Sequence, residues 1–209
     1  MTSLSDQINK KYELSRVLHM TDLDNLESIL GEGAILSHNE VTKKALSFED
    51  ISNESVQCGR ANITIPCTNK PLHDYVPLYW GRKTPMVSAL RKRNETLLFL
   101  MFSTNLLAEY DCVISDGNAR SRGTTFKTYT KLSDLDILSP KDINTVKYAY
   151  DEAVKRRKQA ELLILNRLPL KHLLYIVCHS AMVKTKVEAL LTTHSAKIGV
   201  YIGAGNYYY

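Results

Sequence analysis

The strongest restriction on the fold comes from two uninterrupted apolar runs, LLFLMF at 97–102 and LLYIVC at 173–178. Both runs are far shorter than the roughly 20 residues that a membrane-spanning helix needs. Runs of this length that are rich in Leu, Val, Ile and Phe are typical of buried strands. The first run predicts a strand covered on both faces, and the second predicts a further strand.

The composition is that of a globular protein. Of its residues, 44% are hydrophobic and 23% are charged. At 209 residues, the chain is long enough to bury a sizeable core. There is no internal repeat, low-complexity segment or Pro/Gly/Ser linker, so residues 1–209 are expected to form one domain. The start, MTSLSDQINKKYELS, is polar where a signal peptide would be apolar, which indicates a cytoplasmic protein without a membrane anchor.

Other segments predict a mixture of strands and helices without regular βαβ alternation. The clearest is a strand at Leu14–Met20, followed by the N-cap residues Thr21 and Asp22 and a helix that ends at Gly31 or Gly33. Further strands are predicted at 74–80, 110–114, 161–165 and 198–201, and helices at 84–90, 144–159 and 180–193. The pattern indicates an α+β fold with mostly antiparallel sheets.

Two regions have weaker patterns. Residues 37–71 are polar with little periodicity, which predicts a long surface excursion that is partly mobile without a ligand. The terminal residues Tyr207–Tyr209 fit either an edge strand or an aromatic latch.

The common short motifs of enzymes and metal sites are absent. The four cysteines form no CxxC pair, and the histidines form no HExxH or HxxxH spacing, which predicts reduced thiols and no metal. The sequence also lacks a P-loop, a GxGxxG motif and a Ser-His-Asp order.

Positive charge is clustered along the chain, with a formal net charge of +5. Such clusters attract polyanions, but they are also common on ordinary solvated faces, and charge alone leaves both readings open. The clusters lie at 82–83, 91–93, 120–122 and 155–158. The last of these also complements the dipole at a predicted helix end.

Four polar residues lie at or near predicted strand ends. Taken singly, His19 is typical of a hydrogen-bonded structural histidine, Arg60 of a solvated arginine and Tyr79 of a packed core tyrosine. Glu161 fits an end charge, or an ion pair with Arg156 or Arg157. On the floor of a cleft, the same carboxylate would align a ribose hydroxyl, stabilise a developing cation or remove a proton.

Four segments taken in order resemble the DarT toxins, a family of DNA ADP-ribosyltransferases. They are RVLHMTDLDNLESILGEG, QCGR, HDYVPLYWGRKTPM and RRKQAELLI, and they extend over nearly the whole chain. The resemblance implies the ADP-ribosyltransferase fold, in which two small, mostly antiparallel sheets with flanking helices surround an NAD cleft. It also implies NAD as co-substrate, no metal, and a monomer.

The resemblance assigns roles residue by residue. Glu161 and Arg60 would be catalytic. The NAD-binding residues would be His19, Thr21, Asn25, Leu26, Gly33, Arg60 and Tyr79. Single-stranded DNA would be contacted by Arg82, Lys83, Arg156, Arg157 and Gln159.

The implied activity is modification of a base in single-stranded DNA by a toxin that is paired with a DarG-like macrodomain antitoxin. Thymidine is favoured as the acceptor, and guanosine is the alternative within the family. Competing hypotheses are an RNA 2′-phosphotransferase, a transferase acting on small molecules or proteins, and a non-enzymatic module that binds single-stranded nucleic acid.

Overall fold

The computed structural model describes residues 2–52 and 54–208. Its helices are α1 (Leu4–Tyr12), α2 (Leu26–Glu32), α3 (His38–Lys43), α4 (Glu54–Ala61), α5 (Pro85–Ala89), α6 (Pro140–Asn144), α7 (Glu152–Arg157) and α8 (Ala181–Thr193). Its strands are β1 (Arg16–Asp22), β2 (Ala34–Leu36), β3 (Thr64–Ile65), β4 (Lys70–Pro71), β5 (Tyr75–Tyr79), β6 (Leu97–Ser103), β7 (Cys112–Ser115), β8 (Phe126–Thr128), β9 (Glu161–Leu165), β10 (Arg167–Pro169), β11 (Leu173–Cys178) and β12 (Gly199–Ile202).

The main sheet has eight strands in the order β12-β11-β6-β1-β5-β9-β7-β8. Strands β1 and β6 pair along their length, whereas β1 and β5 share only the register pair Leu18↔Tyr79. The sheet is therefore two four-stranded halves that diverge on either side of one contact. The pairing is antiparallel except between β11 and β12. The α+β prediction is confirmed, and the two expected sheets are joined at this contact.

Strand β6 explains the first apolar run. Every residue of β6 is buried, and alternate side chains face opposite sides of the sheet. Leu98, Leu100 and Phe102 pack in the main core, while Leu97, Phe99 and Met101 pack in a second cluster. A central strand covered on both faces favours apolar residues, and the polar Ser103 stands at its end.

Local capping signals set several element boundaries. Gly33 ends α2 in the left-handed conformation (φ 61°), and its N–H donates to the carbonyl of Leu30. Thr84 begins α5 by accepting a hydrogen bond from the N–H of Val87 at 3.4 Å, with Pro85 at the first helical position. Both boundaries confirm the sequence-based predictions.

Two predictions about elements were wrong. The expected helix at 144–159 is limited to α7, because the Asp151 side chain caps the N–H groups of Ala153 and Val154 and starts the helix late. The excursion at 37–71 holds α3, α4 and the short β3–β4 hairpin, so its described part is more regular than expected.

The end of the chain forms a latch. The Tyr207 hydroxyl donates to the carbonyl of Leu97 at 2.8 Å, and the residue is fully buried. The carbonyl of Tyr208 accepts from Asn94 at 2.8 Å, and its hydroxyl donates to the carbonyl of Lys83 at 2.8 Å. Tyr209 lies outside the described residues, and the remainder behaves as a latch instead of an edge strand.

Within residues 2–52 and 54–208, no helix is long and apolar enough to cross a membrane. The same residues contain no group of three or more His, Cys, Asp or Glu side chains placed to hold a metal ion. All four cysteines are free thiols.

Candidate active site

A buried ion pair joins Glu161, the first residue of β9, to Arg60 in the last turn of α4. Arg60 Nη1 donates to Glu161 Oε1 at 3.3 Å, and Nη2 donates to Oε2 at 3.1 Å, across 101 residues of sequence. The Glu161 side chain is 0% exposed and the Arg60 side chain 13%. The end-charge and Arg156 or Arg157 interpretations of Glu161 were therefore wrong, and so was the expectation that Arg60 is solvated in an irregular segment.

The loop between β7 and β8, residues 116–125, and Ser115 at the end of β7 fix the carboxylate from the other side. The Ala119 N–H donates to Glu161 Oε1 at 2.8 Å. The Glu161 N–H donates to Ser115 Oγ at 3.1 Å, and Ser115 Oγ donates to the carbonyl of Gly117 at 2.7 Å. Within the described residues Oε1 therefore accepts two hydrogen bonds and Oε2 accepts one. Oε2 has the greater capacity to accept a further proton or hydroxyl.

Burial and charge act in opposite directions on Arg60. Burial lowers the pKa of its guanidinium, but the charge and hydrogen bonds of Glu161 outweigh burial and raise that pKa above its ordinary value. Arg60 therefore remains a cation at every physiological pH. A planar guanidinium that meets both carboxylate oxygens also holds the carboxylate in one orientation.

Tyr79 is directly opposite Glu161 in the β5–β9 register, so both side chains project from the same face of the sheet. Burial first, and then the negative charge of Glu161, raise the pKa of the Tyr79 phenol well above its usual range. The hydroxyl therefore stays protonated, and it lies 3.4 Å from Met86 Sδ.

His19 lies where β1 and β5 diverge. Its Nδ1 is 2.9 Å from the carbonyl of Pro77, so Nδ1 carries the proton and Nε2 carries the lone pair. Burial lowers the pKa of this imidazole, which favours the neutral form. The side chain thus bridges the two halves of the sheet with a single hydrogen bond.

The other residues assigned to NAD by resemblance lie on the segment that follows β1. Thr21 is buried, and its Oγ1 accepts from Asn25 Nδ2 at 3.1 Å. Asn25 also holds Glu49, donating to its carbonyl at 2.8 Å and accepting from its N–H at 2.6 Å. Leu26 is fully buried in the main core, and Gly33 is the C-cap of α2. Asn25 therefore anchors the 37–71 excursion beside the end of β1.

Two histidines near this site were missed by the sequence analysis. The rings of His38 and His73 stack with centroids 4.2 Å apart. Burial, then His38 and then Arg60, lower the pKa of His73 to about 4. His73 stands in the segment HDYVPLYW, which carried the resemblance, but a single histidine beside a strand has no spacing that marks it.

Three residues assigned to DNA have partners within the protein. Arg156 forms a two-pronged ion pair with Asp116, at 2.7 and 2.9 Å. Arg157 Nε donates to Asp142 Oδ2 at 2.5 Å. Gln159 accepts from Asn118 at 3.1 Å and donates to the carbonyl of Lys155 at 3.1 Å.

Arg82 and Lys83 follow β5 and line a cavity of about 320 Å³. Arg82 is exposed, and Lys83 Nζ lies 5.1 Å from the ring centroid of Tyr208. The cavity adjoins Leu18, the β1 residue that pairs with Tyr79. These two cations are thus close to the contact between the two halves of the sheet.

The geometry brings a carboxylate, a guanidinium and a protonated phenol together at the end of the β5–β9 pair. A carboxylate placed in this way can align a hydroxyl, stabilise a positive charge and accept a proton, and the guanidinium can stabilise a negative charge. No single sequence motif marks this combination, because its members come from three separated segments.

Solved structures with the same fold contain NAD⁺ or ADP-ribosylated single-stranded DNA. Thermus sp. 2.9 DarT in complex with ADP-ribosylated ssDNA matches with a TM-score of 0.85 and 26% identity, over 94% of this chain and 97% of that one. The same protein in complex with NAD⁺ matches with a TM-score of 0.80 and 26% identity, over 94% and 98%. The fold and the site together define an ADP-ribosyltransferase, for which NAD⁺ is the co-substrate.

Sequence comparisons identify the family. The model described as "ssDNA thymidine ADP-ribosyltransferase, DarT" matches residues 18–209. A DNA ADP-ribosyl transferase of Escherichia coli O127:H6 is 29% identical over 92% of this chain and 92% of its own length. The chain belongs to the DarT family of DNA ADP-ribosyltransferases, which confirms the resemblance.

Proposed function

We propose that this protein transfers ADP-ribose from NAD⁺ to the base of a thymidine in single-stranded DNA. The observation that carries the proposal is the buried pair of Glu161 and Arg60 opposite Tyr79. The description of the family model and the ADP-ribosylated ssDNA bound to the Thermus sp. 2.9 relative support the choice of acceptor.

The reaction breaks one glycosidic bond and forms another. The bond between ribose C1′ and the nicotinamide nitrogen breaks, and nicotinamide leaves with the bonding electron pair. The ring nitrogen of thymine attacks the oxocarbenium-like C1′, and its proton passes to Glu161 Oε2 and then to solvent. A base held beside C1′ reacts in an effectively unimolecular step.

Arg60 and Glu161 have complementary roles in this step. The carboxylate orients the ribose, stabilises the positive charge that develops at C1′ and accepts the proton. The guanidinium stabilises the negative charge that develops on the base as its nitrogen loses that proton. Because the Ala119 N–H already donates a hydrogen bond to Oε1, the proton is expected to go to Oε2.

The requirement for single-stranded DNA follows from the position of the reactive nitrogen. In a duplex the ring nitrogen of thymine lies in the Watson–Crick edge and is paired, so the enzyme must act on an unpaired or extruded base. We assign phosphate contacts first to Arg82 and Lys83. Arg156, Arg157 and Gln159 already have protein partners and would have to exchange them to reach DNA.

NAD⁺ is proposed to bind where β1 and β5 diverge. His19 Nε2 and Thr21 would face the nucleotide, and Tyr79 would pack against the nicotinamide. Asn25, Leu26 and Gly33 would act indirectly, since Asn25 holds Glu49, Leu26 is buried in the core and Gly33 caps a helix.

The test is the substitution Glu161→Gln, which keeps the side-chain volume and removes the charge and the proton acceptor. We expect transfer to thymine-containing single-stranded DNA to fall by roughly a thousandfold or more. Intact-mass measurement of the oligonucleotide after incubation with NAD⁺ reports the added ADP-ribose. Glu188→Gln, an exposed glutamate on α8, serves as the matched control.

The oligonucleotides distinguish the remaining hypotheses. Addition of ADP-ribose only to thymine-free, guanine-containing DNA would identify guanosine as the acceptor. Addition to RNA, or NAD⁺ turnover without DNA, would indicate another acceptor. Binding of DNA with no change in DNA or NAD⁺ would leave a non-enzymatic module, and full transfer by Glu161→Gln would remove the proposed role of the carboxylate.

A toxin role follows from modification of template bases, which blocks copying of the strand. We infer that expression of the protein arrests growth and that a macrodomain partner removes the added ADP-ribose from the base. Thermosipho africanus DarTG in complex with ADP-ribose shares the fold, with a TM-score of 0.78 and 20% identity. Growth arrest by the wild-type chain, and its absence with Glu161→Gln, would test the first half of this inference.

A further inference from the structure

The cavity of about 320 Å³ beside Arg82 is strongly basic. It lies between the start of β1 and the residues that follow β5. Its charged lining consists of one acid, Glu13, and four bases, Arg16, Arg82, Lys83 and Lys158. A concave site with this excess of positive charge attracts an anion.

Lys158 is a buried cation without an anionic partner. It is 2% exposed, and its Nζ donates to the carbonyls of Ile143 at 3.1 Å and Thr145 at 2.5 Å. No carboxylate among the described residues pairs with it. Burial lowers its pKa to about 8. Its two partners are neutral carbonyls, so its charge has no opposite charge beside it.

Trp80 contributes an unsatisfied donor to the lining. The residue is 4% exposed, and its Nε1 is buried without a hydrogen-bond partner in the described part of the chain. An indole N–H is a donor only, so it lacks an acceptor here. A buried donor is rarely left unpaired, and one at the wall of a cavity that also holds a buried cation indicates an acceptor-rich ligand.

The cavity is linked to the catalytic carboxylate by short stretches of chain. Trp80 follows Tyr79, Lys158 shortly precedes Glu161, and the N–H of Trp80 donates to the carbonyl of Ala160 at 3.2 Å. The residues assigned to NAD⁺, His19 to Asn25, lie toward the other end of β1 from Arg16. The cavity therefore lies toward the start of β1, next to the Leu18↔Tyr79 contact, and is joined to Glu161 through the β5–β9 pairing.

We propose that this cavity binds the phosphodiester and base of the nucleotide that flanks the acceptor in single-stranded DNA. Lys158, Arg82 and Lys83 would contact the phosphate, and Trp80 Nε1 would donate to a phosphate or base oxygen. The site would hold the strand in register while the adjacent base reaches Glu161. The assignment of DNA as the ligand rests on the proposed function.

The chain offers a direct probe of occupancy, because Trp80 is its only tryptophan. Titration with a short thymine-containing oligonucleotide in the absence of NAD⁺ is expected to change the intrinsic tryptophan emission. Parallel titration with NAD⁺ alone is expected to leave the emission unchanged, which separates a DNA phosphate from the diphosphate of the co-substrate. Anisotropy of a labelled oligonucleotide measures binding independently.

Two variants and one control complete the test. Arg82→Gln removes an exposed cation, and Lys158→Met removes the buried one at similar volume. Each is expected to weaken oligonucleotide binding about tenfold, as loss of one charge-assisted contact does. Arg167→Gln makes the same change at an exposed arginine on β10, outside the cavity lining, and is expected to bind as the wild type does.

The proposal would be overturned by oligonucleotide binding that leaves Trp80 emission unchanged, by a response to NAD⁺ alone, or by wild-type affinity of Arg82→Gln. Transfer of ADP-ribose with no emission change would keep the proposed function and remove this site. An emission change on DNA binding, without transfer to any DNA, would keep the site and remove the proposed function.

Discussion

His73 shows how burial, a stacked histidine and the nearby cation Arg60 together act on one imidazole. Its imidazole is 9% exposed and stacks on His38, and its pKa of about 4 lies well below the ordinary value of 6.5. The folded state therefore disfavours the protonated ring. A group of this kind contributes stability that is fully present above pH 6.5 and is lost as the pH falls toward 4.

The corresponding prediction concerns stability against pH. Between pH 7 and pH 5, His73 is expected to reduce the free energy of unfolding by roughly 2 kcal/mol, and His73→Gln should flatten the profile by about that amount. Urea unfolding at both pH values measures this difference. His19, whose pKa is also lowered, acts in the same direction and remains in the variant. Equal pH dependence of the two proteins would contradict the prediction.

At the scale of elements, the 116–125 loop acts as a support for Arg60 and Glu161, the proposed catalytic residues. It places the Ala119 N–H on Glu161, and its Arg120 side chain packs over Gly59, next to Arg60. The loop is in turn held by Asp116, which pairs with Arg156 on α7. The basic end of α7 therefore orients the carboxylate through this loop, whether or not it also contacts DNA.

Gly117 tests the role of this loop. A Cβ at Gly117 would lie 2.9 Å from the Arg156 carbonyl and 2.5 Å from its Nη1, so alanine must displace the loop. Gly117→Ala is expected to lower kcat at least tenfold with a smaller effect on the KM for NAD⁺, because the Ala119 N–H moves away from Glu161. Steady-state kinetics separate the two constants.

Gly31→Ala provides the matched control for Gly117→Ala. Its Cβ would meet its nearest neighbour, His194, at an ordinary 3.9 Å within α2. Alanine there is expected to be neutral or to stabilise the protein by up to about 1 kcal/mol. Unchanged kcat in Gly117→Ala would show that the loop does not position Glu161.

At the scale of the whole molecule, cations with and without a carboxylate partner are expected to behave differently toward DNA. Arg82 is exposed and has no carboxylate partner in the described residues, whereas Arg157 is bound to Asp142. Each phosphate neutralised on a single strand contributes about −0.7 to the slope of log K against log salt concentration.

This difference gives a prediction for salt dependence. Arg82→Gln should reduce the magnitude of the slope by about 0.7, while Arg157→Gln should leave the slope unchanged and lower stability by about 1 kcal/mol. Anisotropy titrations across a salt series measure the slope, and urea unfolding measures the stability. A reduced slope in Arg157→Gln would show that Arg157 exchanges Asp142 for a DNA phosphate.

Local patterns in the sequence were sufficient for much of the fold. The apolar runs, Thr84-Pro85 and Gly33 predicted strand β6, the start of α5 and the end of α2, because burial, capping and backbone conformation act over a few residues. The predicted helix at 144–159 was too long because the Asp151 side chain caps the N–H groups of Ala153 and Val154, so that the helix begins only at Glu152.

The site was accessible from the sequence only through family resemblance, which named Arg60 and Glu161 without showing that they touch. Their 101-residue separation, the single pair Leu18↔Tyr79, and the loop amide on Glu161 all depend on how distant strands register. The sequence by itself determined the buried strands and several helix ends, since short-range packing and capping decide those. Only the tertiary structure decided which charges meet, because an ion pair between distant segments forms only when the whole sheet brings them together and excludes water.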